Sequence, residues 1–207
     1  IKDENNCSRS IHPIYFINPE PVIIQGVAVD RLDCFGDNDA TAEINAEGGY
    51  GQFQYAINEQ IPQSDNVFID LGAGIYTFHV WDKNNCHSSQ SVEIIQPPEL
   101  QIDNFSKQDI TCHNDNDGQV SIFASGGTGS YRYIMNDIKL KFSNSFFYLS
   151  GGIYTFSVLD ENNCKTSDTL RIINPPPLYI DNIYKNPVSC YNESNGEISV
   201  IASGGTG

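Results

Sequence analysis

The stretch "LSGGIYTFSVLDENNC" (149–164) and its near twin "LGAGIYTFHVWDKNNC" (71–86) decide how this chain is read. Each joins a Leu-x-x-Gly-x-Tyr corner to an alternating strand, then to an acidic, amide-rich turn ending in cysteine. Tyr76, Phe78 and Val80, like Tyr154, Phe156 and Val158, share one face of that strand. A period of two is expected where one side of a sheet is buried. The tail "DENNC" stands again at 3–7, letter for letter. Such a pentapeptide admits three readings: a metal loop, a reactive thiol site, or a turn. The reason for its recurrence decides among them.

It recurs because the chain is a tandem array. Cys34, Cys112 and Cys190 stand 78 residues apart, as do Cys86 and Cys164, while Cys7 precedes Cys86 by 79. The first set opens three matching segments, "CFGDNDATAEINAEGG" (34–49), "CHNDNDGQVSIFASGG" (112–127) and "CYNESNGEISVIASGG" (190–205). Proline-rich joints recur as "NPEP" (18–21), "QPPE" (96–99) and "NPPP" (174–177). Proline after a strand stops pairing and stiffens the connection, so the joints are the expected boundaries. Two complete modules are expected at 20–97 and 98–175. Residues 1–19, where Ile1 aligns with Val80, read as the last strand of a preceding repeat. Residues 176–207 read as the first part of a following one. Neither flank is large enough to bury a core, so the array is expected to continue in both directions.

Composition narrows the class. At 39% hydrophobic and 11% aromatic, the 207 residues can build real cores. No run approaches the roughly 18 apolar residues of a membrane span, and no signal-peptide pattern opens the sequence. The net charge of −15, from 26 acidic and 11 basic residues, argues against nucleic acid or an anionic membrane as partner.

Within each repeat the other segments alternate too. Val120, Ile122 and Ala124 point one way, matched by Ala42, Ile44 and Ala46 and by Ile198, Val200 and Ala202. Phe53, Tyr55 and Ile57, with Tyr131, Tyr133 and Met135, form another apolar face. "VFIDL", "FFYL", "SVEII" and "TLRII" supply further strands, and nothing keeps helical spacing. About seven short strands per repeat, with frequent turn signals, imply an all-β fold of tandem Ig-like β-sandwich modules. Tyr76 and Tyr154 then occupy a tyrosine corner, whose hydroxyl bonds backbone upstream.

The order of these motifs resembles the SprB-type repeat: cysteine, acidic loop, a Gly-Gly turn, an aromatic strand, the Leu-x-x-Gly-x-Tyr strand, a second cysteine and a Pro-rich joint. "CHNDNDGQVSIFASGGTGSYRY" with "LSGGIYTFSVLDENNC" carries the likeness. The first repeat departs from it with "DNDA" and "GGYG", and "NNC" stands where that family often has "NGC". The resemblance implies a long extracellular surface adhesin or filament of gliding Bacteroidota, exported by the type IX system. It also makes Asp168-Thr169-Leu170 similar to an O-glycosylation acceptor of such bacteria. It names no ligand.

Catalytic chemistry finds no foothold. "SGGTG" (125–129, 203–207) invites a phosphate-loop reading, but an aromatic strand follows where a helix N-terminus is needed. A tight turn with positive φ explains it better. His12, His79, His87 and His113 occupy non-equivalent positions with no metal-ligand spacing, and His79 faces outward. No HExxH, G-x-S-x-G or CxxC is present. The acidic turns make calcium the one cofactor to consider, with Asp37, Asp39, Asp115, Asp117, Asp160 and Glu161 as oxygen donors. Asp and Asn are equally natural turn formers.

For the cysteines, topology sets the reach. The loop after Cys34 or Cys112 joins the first two strands at one end of a sandwich, and the "DENNC" turn lies at the other. A strand separates them by about 20–26 Å, whereas a disulfide tolerates Cα atoms only about 4.4–6.8 Å apart. Head-to-tail stacking would instead bring Cys34 to Cys164. Cys7 and Cys86 would then look upstream, and Cys112 and Cys190 downstream, to other repeats. The intramodule pairs Cys34–Cys86 and Cys112–Cys164, and free thiols, remain open alternatives.

The expected function is a non-catalytic structural or adhesive stalk segment at the bacterial cell surface, possible in gliding motility and attachment. Its partners would be neighbouring repeats, with lateral self-association as a further prospect. The alternatives are a polysaccharide-binding array and accessory repeats of a large secreted enzyme. Trp81, the obvious exposed aromatic, aligns with Leu159, so it is not part of a repeated binding face.

Overall fold

The alternating stretches fold as antiparallel strands, and among the described residues no helix forms. The computed structural model describes residues 2–10, 15–16, 18–138 and 140–206. Ile1 with its alignment to Val80, His12, and Gly207 of the second "SGGTG" lie outside the described residues.

The first repeat has six strands: β1 Ile23–Val29, β2 Ala40–Glu47, β3 Gln54–Ile57, β4 Val67–Leu71, β5 Gly74–Trp81 and β6 His87–Ile94. They form two three-stranded sheets, β1-β2-β4 and β3-β5-β6. The second repeat copies this with β7 Gln101–Gln108, β8 Gly118–Ser125, β9 Arg132–Met135, β10 Ser145–Leu149, β11 Gly152–Leu159 and β12 Lys165–Ile172. Its sheets are β10-β8-β7 and β12-β11-β9. Among the described residues no seventh strand forms, since the segment between β3 and β4, or β9 and β10, pairs once. Those single bridges are Tyr55 with Gln63 and Tyr133 with Lys141.

Alternation places the core. In the second repeat Val120, Ile122, Phe146 and Leu149 of one sheet meet Tyr133, Phe156, Val158 and Ile172 of the other. The Phe146 and Phe156 rings pack 5.1 Å apart between the sheets. Phe68 and Phe78 do the same in the first repeat, at 5.8 Å. Burying each such side chain is worth about 1.5–3 kcal/mol. Strands β13 Tyr179–Asn186 and β14 Glu197–Ser203 pair alone. Ile198 and Val200 of β14 repeat the alternating pattern of Val120 and Ile122.

The chain divides into two compact units, residues 1–31 with 38–95, and residues 32–37 with 96–207. The loop carrying Cys34 therefore packs as part of the second unit, although it falls inside the first repeat in sequence.

Candidate functional site

The hairpin turn "DENNC" is built by its aspartate. Asp160 is fully buried. Its Oδ1 accepts from the N–H of Cys164 at 2.9 Å and its Oδ2 from the N–H of Thr128 at 2.8 Å. One carboxylate thus closes the β11–β12 turn and ties it to the "SGGTG" loop. Asp82 does the same work with the N–H groups of Asn84, Cys86 and Tyr50. Burial would raise the Asp82 carboxyl, but the N–H bonds from Tyr50, Cys86 and Asn84 outweigh it and hold it below its ordinary value. Asp3 repeats the turn, accepting from Asn5 and Cys7.

Asn6, Asn85 and Asn163 sit at φ of 62°, 61° and 70°. Asparagine tolerates that left-handed conformation best among residues with a side chain, and glycine more readily still. That is why asparagine stands before each of the three cysteines Cys7, Cys86 and Cys164. The Gly-Gly pair is required by close approach. A Cβ on Gly126 would lie 1.8 Å from the Glu99 carbonyl oxygen, and one on Gly127 would lie 2.7 Å from Asp160 Oδ2.

The cysteines of the two sets meet once. Cys34 and Cys164 form a disulfide with Cα atoms 5.6 Å apart and a sequence separation of 130. Both lie in the second unit. Beside the bond, the Asn162 side-chain amide donates to the Asp33 carbonyl at 2.9 Å. Cys7, Cys86, Cys112 and Cys190 are exposed and unbonded.

The loop after each first-set cysteine also grips the proline joint. The Gly36 N–H donates to Gln96 Oε1 at 2.9 Å, and the Asn114 N–H donates to Asn174 Oδ1 at 3.0 Å. His113 Nδ1 lies 2.8 Å from the Pro175 carbonyl oxygen. From the other side, the Gly-Gly turn holds the joint: the Gly127 N–H donates to the Pro98 carbonyl and that of Gly205 to the Pro176 carbonyl. These grips are invisible as motifs because each joins residues 60, 62 or about 29 positions apart. Only the fixed repeat spacing could have pointed to them.

The remaining predicted residues serve the backbone. The Tyr76 hydroxyl donates to the Gly72 carbonyl at 3.2 Å and that of Tyr154 to the Ser150 carbonyl at 3.0 Å. The N–H groups of Asp37 and Asp115 donate to the carbonyls of Cys34 and Cys112. Asp117 accepts from the Thr111 hydroxyl at 2.6 Å and its N–H at 3.0 Å, and those two bonds lower its pKa. The Glu161 N–H donates to Thr128. Asp39 is exposed. No group of three or more His, Cys, Asp and Glu suited to a metal ion is gathered among the described residues. Thr169 is exposed on β12.

One cluster escaped the sequence. His79 Nδ1 and His87 Nε2 lie 3.1 Å apart on the β5–β6 hairpin, beside Trp81. Their spacing of eight fits no linear metal motif; the hairpin register brings them together.

The fold and its repeated joints define an all-β tandem-repeat protein. The family model of the SprB repeat matches the chain at residues 104–139 and 184–207. No curated protein matches it. Among solved structures it is similar to a C-terminal 282-residue fragment of intimin, crystallised with the intimin-binding domain of the translocated intimin receptor. That likeness has 16% identity and a TM-score of 0.41 over 77% of this chain and 67% of the other.

Proposed function

We propose that this chain is a non-catalytic stalk segment of a long, secreted bacterial cell-surface adhesin, one that carries tension between the cell and a distant contact. The observation that carries the proposal is the Cys34–Cys164 bond. Tension entering through β1 reaches Cys34 and passes across the disulfide to Cys164. Strands β2 to β11 then lie in a covalent loop that the force does not traverse. Gripped proline joints and repeated buried aspartates suit the same task.

The SprB match supports placement at the cell surface, and a disulfide fits an oxidising exterior. Gliding motility and type IX export extend that resemblance. The test is single-molecule stretching of the full chain by its two ends. The 130-residue span should stay locked until reductant is added, then release about 430–470 Å of contour. Equal extension with and without reductant would sink the mechanical role. Binding in a glycan array would instead favour the polysaccharide reading, for which the aromatic patch around Trp81 is the observation to follow.

A further inference from the structure

The outward face of β5 and β6 carries a cluster that the stalk role leaves unused. Trp81 pairs across the hairpin with His87, and His79 with Ser89, so all four side chains share one face. His79 Nδ1 and His87 Nε2 are 3.1 Å apart, with ring planes inclined by only 20°. The Trp81 ring centroid lies 5.5 Å from that of His79 and 5.1 Å from that of His87. At the equivalent positions the second repeat has Ser157, Leu159 and Lys165. The imidazole pair is therefore not part of what makes the module fold.

We propose that His79 and His87 form a two-imidazole binding site for a divalent transition ion of the zinc, nickel or copper class. With ring centroids 5.3 Å apart the two nitrogens face each other nearly head-on, so the separation suits a shared ion once each ring turns to aim its lone pair at it. A metal about 2.0–2.1 Å from each nitrogen, with those nitrogens 3.1 Å apart, would see them at an angle of about 98°. That falls between the square and tetrahedral angles these ions adopt.

Each neutral imidazole has one N–H and one lone pair. With the proton of His79 on Nε2 and that of His87 on Nδ1, both facing nitrogens offer lone pairs. The ion then replaces the hydrogen bond and no proton is released. Paired strands hold both ligands, so little ordering is needed on binding. Water would fill the other positions, and the net charge of −15 raises the local concentration of cations.

Trp81 is the single tryptophan of the chain, so its fluorescence reports on this site alone. Nickel(II) titrated into the full chain should give saturable quenching that a chelator reverses. His79→Gln and His87→Gln should each weaken the midpoint by about tenfold or more, since even groups behind the ligands commonly carry that much. Cys86→Ser should leave it unchanged, which separates the imidazoles from the nearby thiol. Calorimetry with zinc(II) on the same proteins supplies a second readout independent of the indole. Quenching that never saturates, or that keeps the parent midpoint in both histidine variants, would overturn the site.

Discussion

The two six-stranded repeats share their core, corner and turn chemistry, and differ in the bonding of their first cysteine and on the outward face of one hairpin. Phe78 and Phe156, Tyr76 and Tyr154, and Asp82 and Asp160 occupy matching places and make matching contacts. The loop after Cys34 and the loop after Cys112 make the same grip on the joint, at Gln96 and Asn174. Yet Cys34 is bonded to Cys164 and Cys112 is exposed. The same turn residues shape both loops, and at Cys34 the disulfide adds a covalent lock to that grip.

The sharpest way to break the comparison is to remove that lock. Closing a loop of 130 residues is worth about 5 kcal/mol in the chain-entropy treatment. Cys34→Ser combined with Cys164→Ser should lower unfolding stability by an amount approaching this, read from denaturant midpoints without reductant. Cys112→Ser should change it by less than about 0.5 kcal/mol, as a substitution of an exposed side chain that forms no disulfide. A comparable loss in both proteins would show that the Cys112 loop is as dependent on its sulfur as the Cys34 loop.

The strands were legible because Phe156 and its neighbours alternate on a surface buried on one side, and the repeat supplied each reading twice. The tyrosine hydroxyl contacts follow from the same motif. What stayed hidden depends on partners far along the chain. Asp160 looked like a turn former or a calcium ligand. Its second bond, to Thr128, is fixed only when β9 and β11 pair. His79 and His87 meet because the hairpin register puts residues 79 and 87 diagonally across from each other, which no spacing rule for helices or loops anticipates. The strand count was overstated for a related reason. About seven strands are expected in each repeat and six form, with Gln63 and Lys141 making just one bridge each between the third and fourth.

A deep truncation should sharpen the equivalence of the two cores. Phe78→Ala and Phe156→Ala remove rings that are both fully buried. Each should cost about 3–5 kcal/mol, in line with other buried aromatics cut to alanine. Trp81 fluorescence should follow the first, and far-ultraviolet circular dichroism both. Costs differing by more than about 2 kcal/mol would mean that the matching contacts do not carry matching energies.

The buried aspartates come next. Asp160→Ala leaves the N–H groups of Thr128 and Cys164 without an acceptor, a loss of about 1–3 kcal/mol. Hydrogen exchange at those two amides should rise more than elsewhere in β11 and β12. Protection that persists would show that water or another carbonyl takes over, and that the aspartate is not what couples the turn to the Gly-Gly loop.

The smallest effect separates the repeats by pH. Burial and the nearby His87 lower the His79 pKa, so the folded first repeat resists taking up a proton that the unfolded chain accepts near 6.5. The stability this supports is present above that value and is lost as pH falls through it towards the lower folded value. Ser157, at the matching position, does not titrate, so this source of loss is absent from the second repeat. The lowered carboxylates Asp82, Asp109 and Asp117 act only nearer their own, more acidic range. Urea midpoints followed by Trp81 should therefore drop between pH 7.5 and 5.5 in the parent chain. They should stay level in His79→Ser, which gives the first repeat the serine of the second. An equal drop in that variant would assign the pH response to groups outside the hairpin.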